Sequence, residues 1–155
     1  MNFDQKKLEF IFSLRNANVT NTKLLSIMEK IPRNHFISNT FKKFSLDDTE
    51  LPIDCGQTAT QPSIIGIMVQ ALEITPRCKI LEIGTGSGYQ TSILAKLGRR
   101  IYTVERFQKL ATLAQNAIQE LSITNVTVIC KDGTGGLNEQ EPFDKIIVSA
   151  AFDDI

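Results

Sequence analysis

The sequence predicts an α/β domain, with a mostly parallel sheet and helices on both of its faces. Three observations predict it. From residue 62 onward, short apolar runs alternate with longer amphipathic segments, as strands alternate with helices in βα units. The first of these runs, Lys79-Ile80-Leu81-Glu82-Ile83, breaks into glycines at 84, 86 and 88 and then opens into a helical segment that Gly98 stops. The second run ends on a carboxylate, Glu105, and the third is followed by Asp132-Gly133. Crossovers between parallel strands are right-handed, so all these strand ends come to one edge of the sheet.

The elements read in order as follows. Residues 4–15 set Leu8, Phe10, Ile11, Phe12 and Leu14 among charges, an amphipathic helix with a wide apolar face. Asn18-Val19-Thr20-Asn21 breaks the chain and offers N-cap residues to a second helix through Leu24, Leu25, Ile27, Met28 and Ile31, ending near Pro32. Residues 32–62 lack regular periodicity, and the stretch from Leu51 to Pro62 reads as a loop rich in hydroxyls and amides. Loops longer than about 12–15 residues in a compact domain are usually functional or disordered; two prolines argue for order here. Pro62 suits the first turn of a helix carrying Ile64, Ile65, Ile67, Met68, Val69 and Leu72. Strands follow at 79–83, 100–105, 126–130 and 145–151, with a helix from Phe107 to Leu121 between the second and third.

The chain of 155 residues is one domain, with residues 1–62 forming an N-terminal part and 63–155 the βα core. Seventeen basic residues balance seventeen acidic ones, so no strong field draws the protein to nucleic acid or to an anionic membrane. No window approaches a membrane-spanning length of apolar residues, and the start lacks the features of an export signal. Cys55, Cys78 and Cys130 are odd in number and widely spaced, so neither a disulfide framework nor a zinc site is expected, and no other metal site is either. These features predict a cytoplasmic protein, and a monomer. His35, the one histidine, is assigned no role.

The chemistry concentrates on the glycine turn. Glycine permits positive φ and close approach of a ligand to the backbone, and the helix that follows offers free N–H groups to an anion. The dinucleotide fingerprint is G-x-G-x-x-G. Here Gly84, Gly86 and Gly88 give G-x-G-x-G, and Tyr89 stands in the place of the third glycine of that fingerprint. Glu105 lies 21 residues beyond Gly84, where an acidic residue of a nucleotide-binding βαβ unit accepts hydrogen bonds from ribose hydroxyls. Asp132 and Gly133, at the same edge, are placed to meet an adenine ring.

With Glu82, the turn makes an E-x-G-x-G-x-G pattern that resembles motif I of the S-adenosylmethionine-dependent methyltransferases. The likeness extends along the chain. Pro32-Arg33-Asn34-His35-Phe36, Leu51-Pro52-Ile53, the Gly56 to Pro62 loop, Leu81 to Gln90, Val104-Glu105, Asp132-Gly133 and Pro142-Phe143-Asp144 occur in the order found in the protein-L-isoaspartate O-methyltransferases. The loop at 56–62 is the family-specific part. The resemblance implies a Rossmann-like methyltransferase fold that uses S-adenosylmethionine to methylate the free carboxylate of L-isoaspartyl and D-aspartyl residues in damaged proteins, initiating repair. It implies that Gly84, Gly86 and Gly88 shape the cofactor loop, with Glu82 near the methionine end, Glu105 on the ribose, and Asp132 with Gly133 on the adenine. The family's active-site serine falls on Thr60, with Thr58 beside it.

Some features depart from the family. Threonine at 60 keeps the hydroxyl but adds a methyl that stiffens χ1, and Ala59, smaller than the usual isoleucine, is expected to make room for it. Asp54-Cys55 replaces a glycine and an aromatic residue or histidine. The family continues past the fourth strand, whereas this sequence stops at Phe152-Asp153-Asp154-Ile155. The fold is therefore expected to be truncated after that strand, with Ile147 and Val148 in an uncovered edge that could mediate association. The alternative reading is a shortened or degenerate relative that binds the cofactor or a partner without catalysis. A small-molecule methyltransferase is disfavoured by the 56–62 loop, and a nicotinamide enzyme by Tyr89.

Overall fold

The computed structural model describes residues 2–151; the ending at 152–155 lies outside the described residues. Two helices open the chain, α1 (Phe3–Asn16) and α2 (Thr22–Lys30). Each starts on an asparagine whose side chain accepts a backbone N–H of the first turn, Asn2 from Gln5 and Asn21 from Leu24. The wide apolar face of α1 is only half used. Phe10 and Leu14 are buried, while Phe3, Leu8 and Phe12 stay exposed.

The irregular stretch that follows is more structured than a loop. Leu51–Pro52 (β1) and Thr58–Ala59 (β2) pair as a small antiparallel hairpin, with Leu51 opposite Ala59 and Pro52 opposite Thr58. Beyond it, α3 (Pro62–Ala71) carries Pro62 in its first turn, as expected. The main sheet then forms from β3 (Lys79–Ile83), β4 (Arg100–Glu105), β5 (Val126–Cys130) and β6 (Lys145–Val148). Between these strands run α4 (Tyr89–Leu97), ended by Gly98, and α5 (Gln108–Glu120). All three strand pairings are parallel, in the order β5-β4-β3-β6. β6 is shorter than the sequence suggests, because the chain leaves the ladder after Val148 and crosses over the glycine turn. Asp144 fixes its start: the Asp144 N–H donates to the Lys79 carbonyl, and the Lys79 N–H donates to the Asp144 carboxylate at 2.7 Å.

Alternation along the strands sorts the core into two layers. Ile80, Ile101 and Ile147 join one large cluster with residues of each of the helices α1 to α5. Leu81, Ile83 and Val104 face the other way, against Leu137, Tyr102, Ile129 and Phe143. On that second face the helical cover among the described residues is a single 3-10 turn, Asn138–Gln140, following Leu137. The edge strand also differs in detail from expectation. Ile147 is buried in the large cluster, and the exposed residues are Ile146 and Val148, because alternation turns 147 toward the helices.

Gly88 shows what the spacing of the glycines serves. Its φ is +91°, and a Cβ there would lie 3.2 Å from Cβ and 3.4 Å from Cα of Ala114 on α5. The third glycine of the turn thus allows helix α5 to pack close, in addition to shaping the loop. Gly88→Ala combines a disfavoured backbone conformation with a clash, and should destabilise the protein by about 1–3 kcal/mol. Urea denaturation measures this; an unchanged midpoint would contradict it.

Candidate active site

The carboxyl ends of β3, β4, β5 and β6 open onto a cavity of about 650 Å³, within the size range of small-molecule and cofactor sites. One wall is the glycine turn, with Gly84, Thr85, Gly86 and Ser87. The next is Glu105 with Arg106 and Phe107, followed by Asp132 to Thr134. The opposite wall is the hairpin, with Ile53, Gln57, Thr58, Ala59 and Thr60. The structure therefore brings together Thr58, Thr60, Gly84, Gly86, Glu105, Asp132 and Gly133. It does not bring Gly88 or Glu82 to the cavity surface.

Each wall has a local cause. Gly84 takes φ +93°, and a Cβ on it would sit 3.1 Å from the backbone nitrogen of Ala150, so the turn and the chain leaving β6 cross in near contact. Gly86, at φ +54°, donates its N–H to Oε2 of Glu105 at 2.9 Å, while Oε1 of Glu105 accepts from the Phe107 N–H at 3.1 Å. The carboxylate expected to hold a ribose is thus already oriented by two backbone donors. Each oxygen keeps a further lone pair for a ligand hydroxyl. Asp132 accepts from the amide and hydroxyl of Thr134 at 2.9 and 2.8 Å, which holds its carboxyl below the usual range. At Gly133 a Cβ would come within 2.6 Å of Ile83, so only glycine lets this turn lie over the sheet.

Glu82, expected near the methionine end of the cofactor, is not at the cavity surface. It is fully buried beneath the turn, on the helix-facing side of the sheet. Its Oε1 accepts from Gln90 Nε2 at 2.9 Å, and its Oε2 accepts from the hydroxyls of Thr91 and Thr103 at 2.5 and 2.6 Å. The Thr103 hydroxyl also lies 2.6 Å from that of Thr85 in the turn. Glu82 therefore acts on the site through the loop it supports. Burial is the main cause that pushes its pKa up to about 7, opposed by the hydrogen bonds from Thr103, Thr91 and Gln90 and reinforced by the charge of Glu105.

Several wall residues were not singled out from the sequence. Gln90, nearly buried, donates through Nε2 to Ser149 Oγ at 2.7 Å as well as to Glu82, and Ser149 to Ala151 complete the wall beyond β6. The rule that ligands bind at the carboxyl ends of parallel strands, applied to the fourth strand as to the others, is the signal that points to Ser149. His35, assigned no role from the sequence, ties the 33–36 turn to α5: Nε2 lies 3.0 Å from the Ala117 carbonyl and 3.2 Å from Glu120. Cys55, Cys78 and Cys130 are free thiols, and no group of metal-ligating side chains occurs among the described residues. No described helix is long and apolar enough to cross a membrane.

The raised pKa of Glu82 has a measurable consequence. Between its ordinary 4.5 and about 7, the folded protein keeps a proton that the unfolded chain has released. The stability it contributes is full below that window and falls as pH rises through it. Glu82→Gln removes this slope. Melting temperatures from pH 4.5 to 8 should show the variant gaining on the parent as pH rises; a constant difference would refute it.

Comparison with known proteins agrees with this geometry. The family model for protein-L-isoaspartate(D-aspartate) O-methyltransferase matches residues 5–155. The protein-L-isoaspartate O-methyltransferase of Ruegeria pomeroyi is 49% identical over 150 residues, covering 97% of this chain and 70% of that protein. That of Maricaulis maris is 45% identical over 148 residues, again covering 70% of the relative. A solved protein-L-isoaspartate O-methyltransferase superposes with a TM-score of 0.85 at 25% identity, over 96% of this chain and 49% of that one. A Plasmodium falciparum beta-aspartate methyltransferase, solved in complex with S-adenosyl-L-homocysteine, superposes with a TM-score of 0.79 at 21% identity, over 95% of this chain and 74% of that one, a likeness of fold. With its family model matched over nearly the whole sequence and relatives close to half identical, the chain belongs to the protein-L-isoaspartate(D-aspartate) O-methyltransferase family.

Proposed function

We propose that this protein methylates the free carboxylate of L-isoaspartyl and D-aspartyl residues in damaged proteins, with S-adenosylmethionine as donor, so that repair can begin. The observation that carries the reading is the cavity itself. A glycine turn and three strand-end groups line one side, and a hairpin bearing two threonine hydroxyls lines the other. The cofactor fits the donor set: Gly84 and Gly86 let it approach the backbone, Glu105 takes the ribose hydroxyls, and Asp132 with Gly133 borders the adenine. When bound, it supplies an electrophilic sulfonium methyl.

The protein has little covalent chemistry to perform. A carboxylate with a pKa of about 4 is ionised at neutral pH and needs no general base. One of its oxygens forms the new bond to the methyl carbon as the carbon–sulfur bond breaks, leaving a methyl ester and a neutral thioether. Catalysis then consists of alignment and exclusion of water. Thr60 donates its hydroxyl to the carboxylate oxygen that does not react, and Thr58 borders the same space. Neither hydroxyl is engaged in a side-chain hydrogen bond among the described residues, so both are available. The same reading makes the protein a cytoplasmic monomer that acts on polypeptides rather than on nucleic acid or membrane, in keeping with its 17 basic and 17 acidic residues.

Calorimetric titration with S-adenosylhomocysteine, with NAD as control, tests the cofactor half, and an isoaspartyl-peptide assay tests the other. Saturable binding of the first ligand alone is expected, with turnover in the assay; binding without turnover would favour the non-catalytic alternative. Glu105→Gln keeps the shape of the side chain and removes its charge. It should weaken S-adenosylhomocysteine by about 10- to 100-fold, the scale of a hydrogen bond to a charged group, and unchanged affinity would overturn the ribose assignment. Thr60→Val should lower kcat by about tenfold or more while leaving that affinity intact. Full turnover would make Thr60 a structural residue.

A further inference from the structure

The hydroxyl of Thr60 is useful only if its position is fixed, because misplacement of about 1 Å costs about 100-fold in rate. The segment that carries it has little regular structure to fix it: the hairpin strands are two residues each, and Gln61, the N-cap of α3, makes no capping hydrogen bond with its own side chain. The carboxylate of Asp48 supplies the missing cap from outside the helix. Its Oδ1 accepts the Ser63 N–H at 2.8 Å, and its Oδ2 accepts Nε2 of Gln61 at 3.2 Å. On the other side of Thr60, Ala59 is paired with Leu51. Thr60 is therefore one residue held between two clamps.

Asp48 is held in turn. Arg33, only 2% exposed, donates to the carbonyls of Asp47 at 3.0 Å and Thr49 at 2.9 Å, one on each side of Asp48, and to that of Ser45 at 3.4 Å. Its guanidinium lies 6.0 Å from the centre of the Tyr89 ring, and Tyr89 opens the helix that follows the glycine turn. The brace thus runs from the cofactor loop through Tyr89, Arg33 and Asp48 to Gln61 and Ser63, and ends beside the hydroxyl. We infer that Asp48 is the positioning residue that sets the Thr60 hydroxyl against the substrate carboxylate, an inference that rests on the reading of Thr60 given above.

The test compares Asp48→Ala, Asp48→Asn and Thr60→Val in the full chain, measuring kcat and KM for an isoaspartyl peptide, S-adenosylhomocysteine affinity and melting temperature. Asp48→Ala should lower kcat by about tenfold or more with affinity for S-adenosylhomocysteine within about twofold. Asp48→Asn keeps an oxygen for the Ser63 N–H and can pair with the Gln61 amide once that amide turns over, so it should restore most of the loss. The double variant Asp48→Ala/Thr60→Val should be no slower than Thr60→Val alone, since there is no hydroxyl left to position. A lower melting temperature with kcat unchanged, or fully multiplicative losses in the double variant, would overturn the inference. Should Asp48→Ala fail to fold, Gln61→Leu removes one arm of the brace and must show the same fall in kcat with cofactor affinity kept. Impaired Thr60→Val beside unimpaired Asp48→Ala sinks this inference alone; unimpaired Thr60→Val sinks the reading beneath it as well.

Discussion

The site depends on one buried carboxylate. Glu82 lies in a strand, yet it gathers donors from the next strand and from the helix after the turn: Thr103, Thr91 and Gln90. Burying a charge without partners is prohibitive, and with several hydrogen bonds it becomes tolerable. The arrangement links β3, β4 and α4 directly beneath the residues that must stay open to a ligand. Through Thr103 it reaches Thr85 inside the turn. A glycine-rich loop is entropically costly to hold in one shape, and the polar seam below supplies that hold without occupying the cavity. The rise in the pKa of Glu82 comes from its burial, and the hydrogen bonds of the seam oppose it.

The two halves of the cavity are held by different means. The cofactor side is continuous with a parallel sheet, so ladder hydrogen bonds and close backbone packing at Gly84, Gly88 and Gly133 determine its shape. The hairpin side lies outside the sheet and relies on individual polar contacts. Arg33 and Asp48 provide them at one end, and at the tip Lys109 Nζ on α5 meets Asp54 Oδ1 at 2.7 Å. That last pair is exposed to solvent and so contributes little to stability. Its effect is to seat the tip of the hairpin on the helix that also packs against Gly88.

Much of this could be read from the sequence, and the parts that could not have a common cause. Strands at 79–83, 100–105 and 126–130 and the helices around them follow from local periodicity, and the glycine turn from its own spacing. Glu105 was placed by its distance from that turn. The role of Glu82 was not legible. Both faces of β3 are buried, so alternation does not say which side a carboxylate takes, and its partners are 8, 9 and 21 residues away. Asp48 escaped for the same reason, since its partners Gln61 and Ser63 lie 13 and 15 residues on, in a stretch without periodicity. Ser149 was within reach of the strand-end rule, but the expected strand ran on to 151 and hid it, whereas β6 ends at Val148. What a sequence leaves hidden here is long-range polar pairing, which leaves no periodic trace.

The departures at 54, 55 and 59 acquire physical meaning in this frame. Ala59 packs with Ile37 and Leu51 in a small cluster of its own. Strand alternation turns it away from Thr58. Its side chain therefore belongs to that cluster, and it also borders the cavity next to Thr60. Cys55 takes φ +59°, a conformation in which a glycine or asparagine is at ease and a cysteine is strained. The neighbouring Asp54 pairs with Lys109, so the substitution that introduces strain at the tip sits beside the one that ties the tip down. Since the hairpin carries both threonines, its tip and its base are under opposite demands. The base must be rigid, and Arg33 and Asp48 bury and hydrogen-bond it. On the proposed function the tip admits a polypeptide, and it is held by an exposed contact that water weakens.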